Sequence, residues 1–196
     1  NTVFPLSAFR FCKLDSESTI WIDNTSNGYS WSELVEDVGE AAAQQSAARG
    51  VNLPECFSDN CELSNEMLRR INDLLESIDG RYRVEKRQDG LVGYSPENGF
   101  RVELYNLPAE QQILISQAAA LIAGEVMPVA PPLIGDSMFG RIGRDLRKDL
   151  VEVIQGMDRH ALLFAIESEF EDLNLNPRFK LEQSQADMSN QIISLE

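Results

Sequence analysis

The sequence predicts an α/β domain with a small antiparallel meander, and three observations predict it. Segments with apolar residues in helical period alternate with short β-branched or aromatic runs. Three of those runs (81–85, 90–95 and 100–105) are separated only by Gln88-Asp89-Gly90 and Pro96-Glu97-Asn98-Gly99, which have the composition of hairpin turns. Two later runs are strands of a buried kind. Leu133–Asp136 is short and ends in an acid, and 160–166 is almost wholly apolar, which suits the interior of a sheet covered on both faces.

In chain order, residues 8–14 and 18–23 are predicted strands. Asp23-Asn24-Thr25-Ser26-Asn27-Gly28 is a dense turn signal. A helix follows from Trp31, with Leu34, Val35, Val38 and Ala42 on one face, Gly50 as its C-cap and Pro54 just beyond. Residues 50–62 read as an irregular connector. Ser64 is the N-cap candidate of a second helix, whose apolar face is Met67, Ile71, Leu74, Leu75 and Ile78, and Gly80 ends it. After the meander, a mostly apolar helix is predicted over 109–126. Met127-Pro128-Val129-Ala130-Pro131-Pro132 is a stiff, extended linker, because its prolines exclude a helix. A helix over 141–155 carries Leu146, Leu150, Val153 and Ile154 on one face, and 179–182 is a further short strand. The tail from Gln183 is polar, with Ile192, Ile193 and Leu195 available to a partner.

Composition limits the function. Among 196 residues, 17 are basic and 32 acidic, a net charge of −15. Such a charge repels phosphate backbones, so contact with DNA is expected only indirectly. Arg69, Arg70, Arg81, Arg83, Lys86 and Arg87 form the one candidate basic patch, and the preferred reading is a solvated helix end and strand rim. Cys12, Cys56 and Cys61 do not make a disulfide scaffold; with a single histidine, His160, metal binding is not expected either. No apolar run reaches the roughly 18–20 residues that span a bilayer. The stretch 113–126 is shorter and is interrupted by Ser116, Gln117, Gly124 and Glu125. The N-terminus lacks the charged segment and apolar stretch of a signal peptide. A reducing, cytoplasmic setting with no membrane partner is the expectation.

The order strand–turn–helix, connector, helix, meander, helix, strand–acid, helix, apolar strand resembles the folded head of SMC, RecF and related ATP-binding-cassette ATPases. Local sequences carry the resemblance. Residues 71–77, Asp89-Gly90-Leu91 and 100–107 resemble the approach to the signature helix. Ala109-Glu110-Gln111-Gln112 resembles the end of the signature. Pro132-Leu133-Ile134-Gly135-Asp136 resembles the Walker B strand, Phe139-Gly140-Arg141-Ile142-Gly143 the D-loop turn, and 160–166 the last core strand. Near the start, Ala8-Phe9-Arg10-Phe11 resembles the opening strand, and 22–30 falls where a Walker A loop would.

The resemblance implies a mixed sheet flanked by helices. It divides the chain into an N-terminal lobe-like segment (1–50), a connector (51–62), a C-terminal head-like lobe (63–182) and a tail (183–196). It also implies that Gly28, Tyr29, Ser30, Asp136 and Ser137 are a vestigial nucleotide site, with the turns at 23–30 and 136–143 adjacent at the carboxyl ends of strands. The chemistry of phosphoryl transfer is missing at most positions. Tyr29 stands where the phosphate-neutralising lysine would be and Asp23 at the first glycine; Leu107 and Ala109 replace the signature Ser and Gly; Gly143 replaces the D-loop Asp; and Ile166 replaces the switch His. Ser137 follows Asp136 where a catalytic Glu is usual. No residue is assigned a catalytic or metal-ligating role and no cofactor is expected, although the resemblance leaves room for residual ATP/Mg binding. The long coiled coil of the family, which would interrupt the chain near 45–65, is absent. The function implied is a pseudo-ATPase head that scaffolds or regulates an SMC-like ATPase, or pairs with itself, in DNA repair, chromosome maintenance or antiviral defence. Two alternatives stand beside it: an unorthodox nucleotide-binding ATPase or switch, and an acidic, DNA-mimic-like interaction protein.

Overall fold

A computed structural model describes residues 3–4, 10–12, 20–23, 29–78, 81–87, 90–136, 138–139, 142–165, 173, 178–183 and 190–195. Four helices and eleven strands alternate along them: β1 Val3–Phe4, β2 Arg10–Cys12, β3 Ile20–Asp23, β4 Tyr29–Ser30, α1 Trp31–Arg49, α2 Asn60–Ile78, β5 Arg83–Arg87, β6 Gly90–Tyr94, β7 Arg101–Glu103, α3 Ala109–Glu125, β8 Leu133–Asp136, α4 Arg144–Gly156, β9 Ala161–Phe164, β10 Arg178–Gln183 and β11 Asn190–Leu195.

The central sheet is mixed, in the order β2-β3-β8-β9. Strands β2 and β3 are antiparallel, whereas β3, β8 and β9 run parallel. The meander β5-β6-β7 is a separate antiparallel sheet, β1 pairs with β4, and β10 pairs with β11 from Arg178↔Leu195 to Gln183↔Asn190. The segment containing Ile192, Ile193 and Leu195 is therefore a strand of a hairpin.

Helix α3 is the centre of the core. Of its residues from Gln111 to Gly124 only Gln112 is less than fully buried, and it packs against α2, α1 and β3. An apolar helix of this kind, without a polar face, is what a fully enclosed position selects. Against it α2 turns Met67, Ile71, Leu74, Leu75 and Ile78, and α1 turns Leu34, Val35, Val38 and Ala42, the faces predicted from their spacing. On α4 the buried face is Leu150, Val151 and Ile154, while Leu146 and Val153 lie half-buried against the core.

Two amide side chains stand in for missing backbone partners. Asn72 Nδ2 donates to the Val84 carbonyl at 2.9 Å while the Val84 amide donates to Asn72 Oδ1 at 2.7 Å, so α2 closes the outer edge of β5. Gln45 does the same for the linker, donating to the Val129 carbonyl at 3.0 Å and accepting its amide at 3.2 Å. At the far end of α3, Arg159 is almost completely buried. It donates to the Leu121 carbonyl and lies 3.6 Å from Glu125 Oε1. Burial pushes its guanidinium below the usual range and Glu125 pulls it back up.

Several expectations are corrected. Helix α2 starts before Ser64. Its cap is Asp59, whose Oδ1 accepts the amides of Cys61 (2.7 Å) and Glu62 (2.8 Å), and Ser64 is instead buried, accepting the Trp31 indole N–H at 2.8 Å. The connector contains a short 3₁₀ turn, Glu55–Phe57. Strand β9 is outermost among the described strands of its sheet, with Leu162 54% and Phe164 48% exposed, because an apolar run does not by itself distinguish a central strand from an outer one. Helix α4 begins at Arg144, since Gly143 is extended at the N-cap. Gly50 takes the C-cap role predicted for it, with φ +65° and its amide donating to the Ser46 carbonyl at 2.9 Å. The expected helix stop at Gly80 lies outside the described residues.

Candidate functional site

The register of the central sheet sets the candidate site. Ile20 pairs with Leu133 and Ile22 with Gly135, so β3 and β8 end side by side at Asp23 and Asp136. Asp136 in turn pairs with Phe164, near the end of β9. Strands β3 and β8 therefore end together as one parallel pair, and the carboxyl ends of such strands are where ligands usually bind in an α/β sheet. Tyr29 and Ser30 form β4, opposite Phe4 and Val3, and Ser30 runs directly into α1. Gly28, Ser137 and Ile166 lie outside the described residues.

The loop after β8 is held from one side by α3. Gln117, fully buried, donates through Nε2 to the Met138 carbonyl, and Met138 and Phe139 are themselves fully buried. Seven residues earlier on α3, Glu110 accepts the amide of Gly143 at 2.6 Å. A Cβ on Gly143 would lie 2.9 Å from Glu110 Oε1, so a larger residue here would oblige the Glu110 side chain to shift. Sequence reading missed Glu110 and Gln117. They share a helix face (i, i+7), but nothing in the sequence names their partners 33 and 21 residues away.

The substituted signature positions differ in environment. Leu107 is 4% exposed and fills the space above Gly93, where an added Cβ would come within 2.9 Å of its Cδ1. Its carbonyl accepts Gln112 Nε2 at 2.7 Å, which fixes the entry into α3. Ala109, at the first turn of α3, is exposed.

The candidate basic patch is largely neutralised. Glu66 binds both Arg69 (2.8 Å) and Arg70 (2.6 Å), Arg69 also reaches Asp73 (2.7 Å), Arg83 faces Glu76, and Arg87 and Arg101 share Glu85. The hydrogen bond from Arg69, then that from Arg70, holds the Glu66 carboxyl down to about 2. Cys56 and Cys61 are free thiols; burial, then Glu66, pushes the Cys56 thiol up. No cluster of His, Cys, Asp or Glu suited to a metal occurs among the described residues, and no helix among them is long and apolar enough to cross a membrane.

No family model matches the sequence, and no curated protein matches it. Solved structures do match. An SMC ATPase studied for ATP-driven dimerization and DNA-stimulated activation aligns at TM-score 0.57 and 12% identity, over 67% of this chain and 84% of that one. An SMC head bound to the C-winged helix domain of ScpA aligns at 0.58 and 10%, over 85% of this chain and 49% of that one. The Pyrococcus furiosus SMC head with an extended coiled coil, bound to the C-terminal domain of ScpA, aligns at 0.54 and 12%, over 82% and 38%. The chain thus spans half or less of the length of the last two. At these identities the likeness speaks to architecture alone: the chain has the α/β fold of an SMC ATPase head.

Proposed function

We propose that the chain is a non-catalytic head-like subunit that binds an SMC-like ATPase, or a second copy of itself, and scaffolds or regulates it. The observation that carries the reading is Leu107. In the place of a signature serine that would face a phosphate, a leucine is packed into the core. Three further features agree. The Gly143 amide already has a partner in Glu110, the acidic residues Asp23 and Asp136 occupy neighbouring strand-end positions, and the segment from 20 to 31 has no lysine to offset them. Phosphoryl transfer depends on positioned positive charge and donors, so these residues do not fit hydrolysis of Mg-ATP. The structurally similar SMC heads have been solved bound to ScpA, which supports a protein partner for this one. The settings are those the resemblance implies, DNA repair, chromosome maintenance or antiviral defence.

The test combines phosphate release with mass measurement. The purified chain should release no phosphate from Mg-ATP above background, and should run as a dimer or co-purify with an SMC-like ATPase. Phosphate release lost on Asp136→Ala would overturn the non-catalytic half. A strict monomer without such a partner would overturn the subunit half. The adjacency of the β3 and β8 ends favours one second reading, a nucleotide-binding switch, which a melting shift in millimolar Mg-ATP would support. An acidic DNA mimic is disfavoured, since Glu66, Asp73, Glu76 and Glu85 are matched by arginines of the same chain.

A further inference from the structure

The two edges of the meander are treated differently by the rest of the chain. At β5, the outward amide and carbonyl of Val84 are both taken by Asn72. At β7 no such cover exists among the described residues. The Ser95 amide donates to the Phe100 carbonyl at 2.9 Å, which makes that pair hydrogen-bonded. With the register Tyr94↔Arg101, Gly93↔Val102 and Val92↔Glu103, alternation then aims Val102 at β6, while the amide and carbonyl of Arg101 and the amide of Glu103 face away from the sheet. An uncovered edge of this kind is a template for an added strand.

Side chains at both ends of this edge point to what would add. Phe100 and Tyr105 flank β7, and each is 68% exposed, the highest among the exposed large hydrophobic residues. Between and beside them, Glu103 and Glu97 are exposed and have no ion pair among the described residues. The base on the strand, Arg101, is already committed to Glu85 at 2.7 Å and to the face of Tyr94 at 5.0 Å. The strip is therefore apolar at its ends, carries the exposed carboxylate of Glu103 with that of Glu97 in the turn before it, and offers no free base among the described residues, on a chain of net charge −15.

We infer that the β7 edge is the docking strip for an extended, basic segment of the protein partner, which adds to the meander as a fourth strand. Backbone pairing with Arg101 and Glu103 supplies the register, Phe100 and Tyr105 take apolar residues or stack on arginine, and Glu97 and Glu103 select lysine or arginine. This rests on the partner-binding reading above and names the surface and the chemistry of the partner.

A labelled short peptide of alternating arginine and leucine is the probe, measured by fluorescence anisotropy against the full chain. Binding should fall by about tenfold or more on combining Phe100→Ser with Tyr105→Ser, and similarly on Glu103→Lys. All three residues are exposed, so the fold is unaffected, and circular dichroism checks it. N-methylation of alternate peptide amides should abolish binding, because edge pairing needs them. Glu36→Gln with Glu40→Gln, on the exposed face of α1, should leave binding unchanged. Equal loss from that α1 pair, unchanged binding by the N-methylated peptide, or failure of the peptide to bind would overturn the proposal. An SMC-like partner that still co-purifies with the Phe100→Ser, Tyr105→Ser chain would also overturn the strip while leaving the head reading intact.

Discussion

Replacing Asn72 should be costly for a half-buried polar side chain. Asn72 is bonded to both polar groups of the Val84 backbone, at 2.7 and 2.9 Å, and Val84 is only 3% exposed. In Asn72→Ala both groups lose their partner where water enters poorly. A buried polar group left unpaired costs about 1–3 kcal/mol. Two such groups at a half-buried rim give about 2–4 kcal/mol, or roughly 4–16 °C in Tm for a chain of this size. Asn72→Asp separates the two bonds. Its carboxylate still accepts the Val84 amide but repels the Val84 carbonyl, so this variant should be destabilised at neutral pH and recover on acidification, when a protonated carboxyl donates again. Urea unfolding followed by tryptophan fluorescence at several pH values measures both, with a constant slope as the control for two-state behaviour. A loss under about 0.5 kcal/mol for Asn72→Ala, or an Asn72→Asp curve that coincides with the parent at neutral pH, would refute the reasoning.

Three other outcomes follow from the packing. Gly93→Ala should destabilise by about 1–3 kcal/mol through overpacking against Leu107, and Leu107→Ala should rescue part of that loss in a double-mutant cycle. Ser64→Ala removes the buried acceptor of the Trp31 indole and should cost about 1–2 kcal/mol, with a shift in the tryptophan emission. Glu66 has a depressed pKa, so its contribution is present above the unfolded carboxyl's value of about 4.3 and is lost as pH falls towards about 2. Because Arg69 is mostly exposed and salt screens the pairs, the amplitude should stay below about 1 kcal/mol, and Glu66→Gln should flatten that part of the pH–stability curve.

What was legible in the sequence was whatever depends on local pattern. Leu133–Asp136 is a strand with the predicted bounds, because a short apolar run closed by an acid after three prolines has few other conformations. Helix α3 ends within one residue of its predicted end for the same reason. Failures arose where one residue type serves two purposes. Ser64 has the chemistry of a cap, yet Asp59 caps the helix and Ser64 faces Trp31, a partner 33 residues away. The run at β9 is as apolar as a central strand but lies outermost among the described strands of its sheet. At the candidate site, the side-by-side ends of β3 and β8 agree with what the resemblance implies for those strands, whereas the grip of Glu110 and Gln117 on Gly143 and Met138 is tertiary and leaves no periodic trace.

The ten residues 50–59 that join α1 to α2 have a consequence for how such heads can change. Gly50 has open space around it, and Leu53, Pro54 and Glu55 are exposed, while α1 is kept in place by Trp31, Leu34, Val35 and Val38 rather than by this link. Closing a loop grows dearer only with the logarithm of its length, so lengthening the link to about a hundred residues costs roughly 2 kcal/mol. That is comparable to the loss of one well-placed side chain. The link is thus a seam at which a long arm can be spliced in or removed with little strain on the core. By that measure, a head with a lever and a head without one are thermodynamic near neighbours.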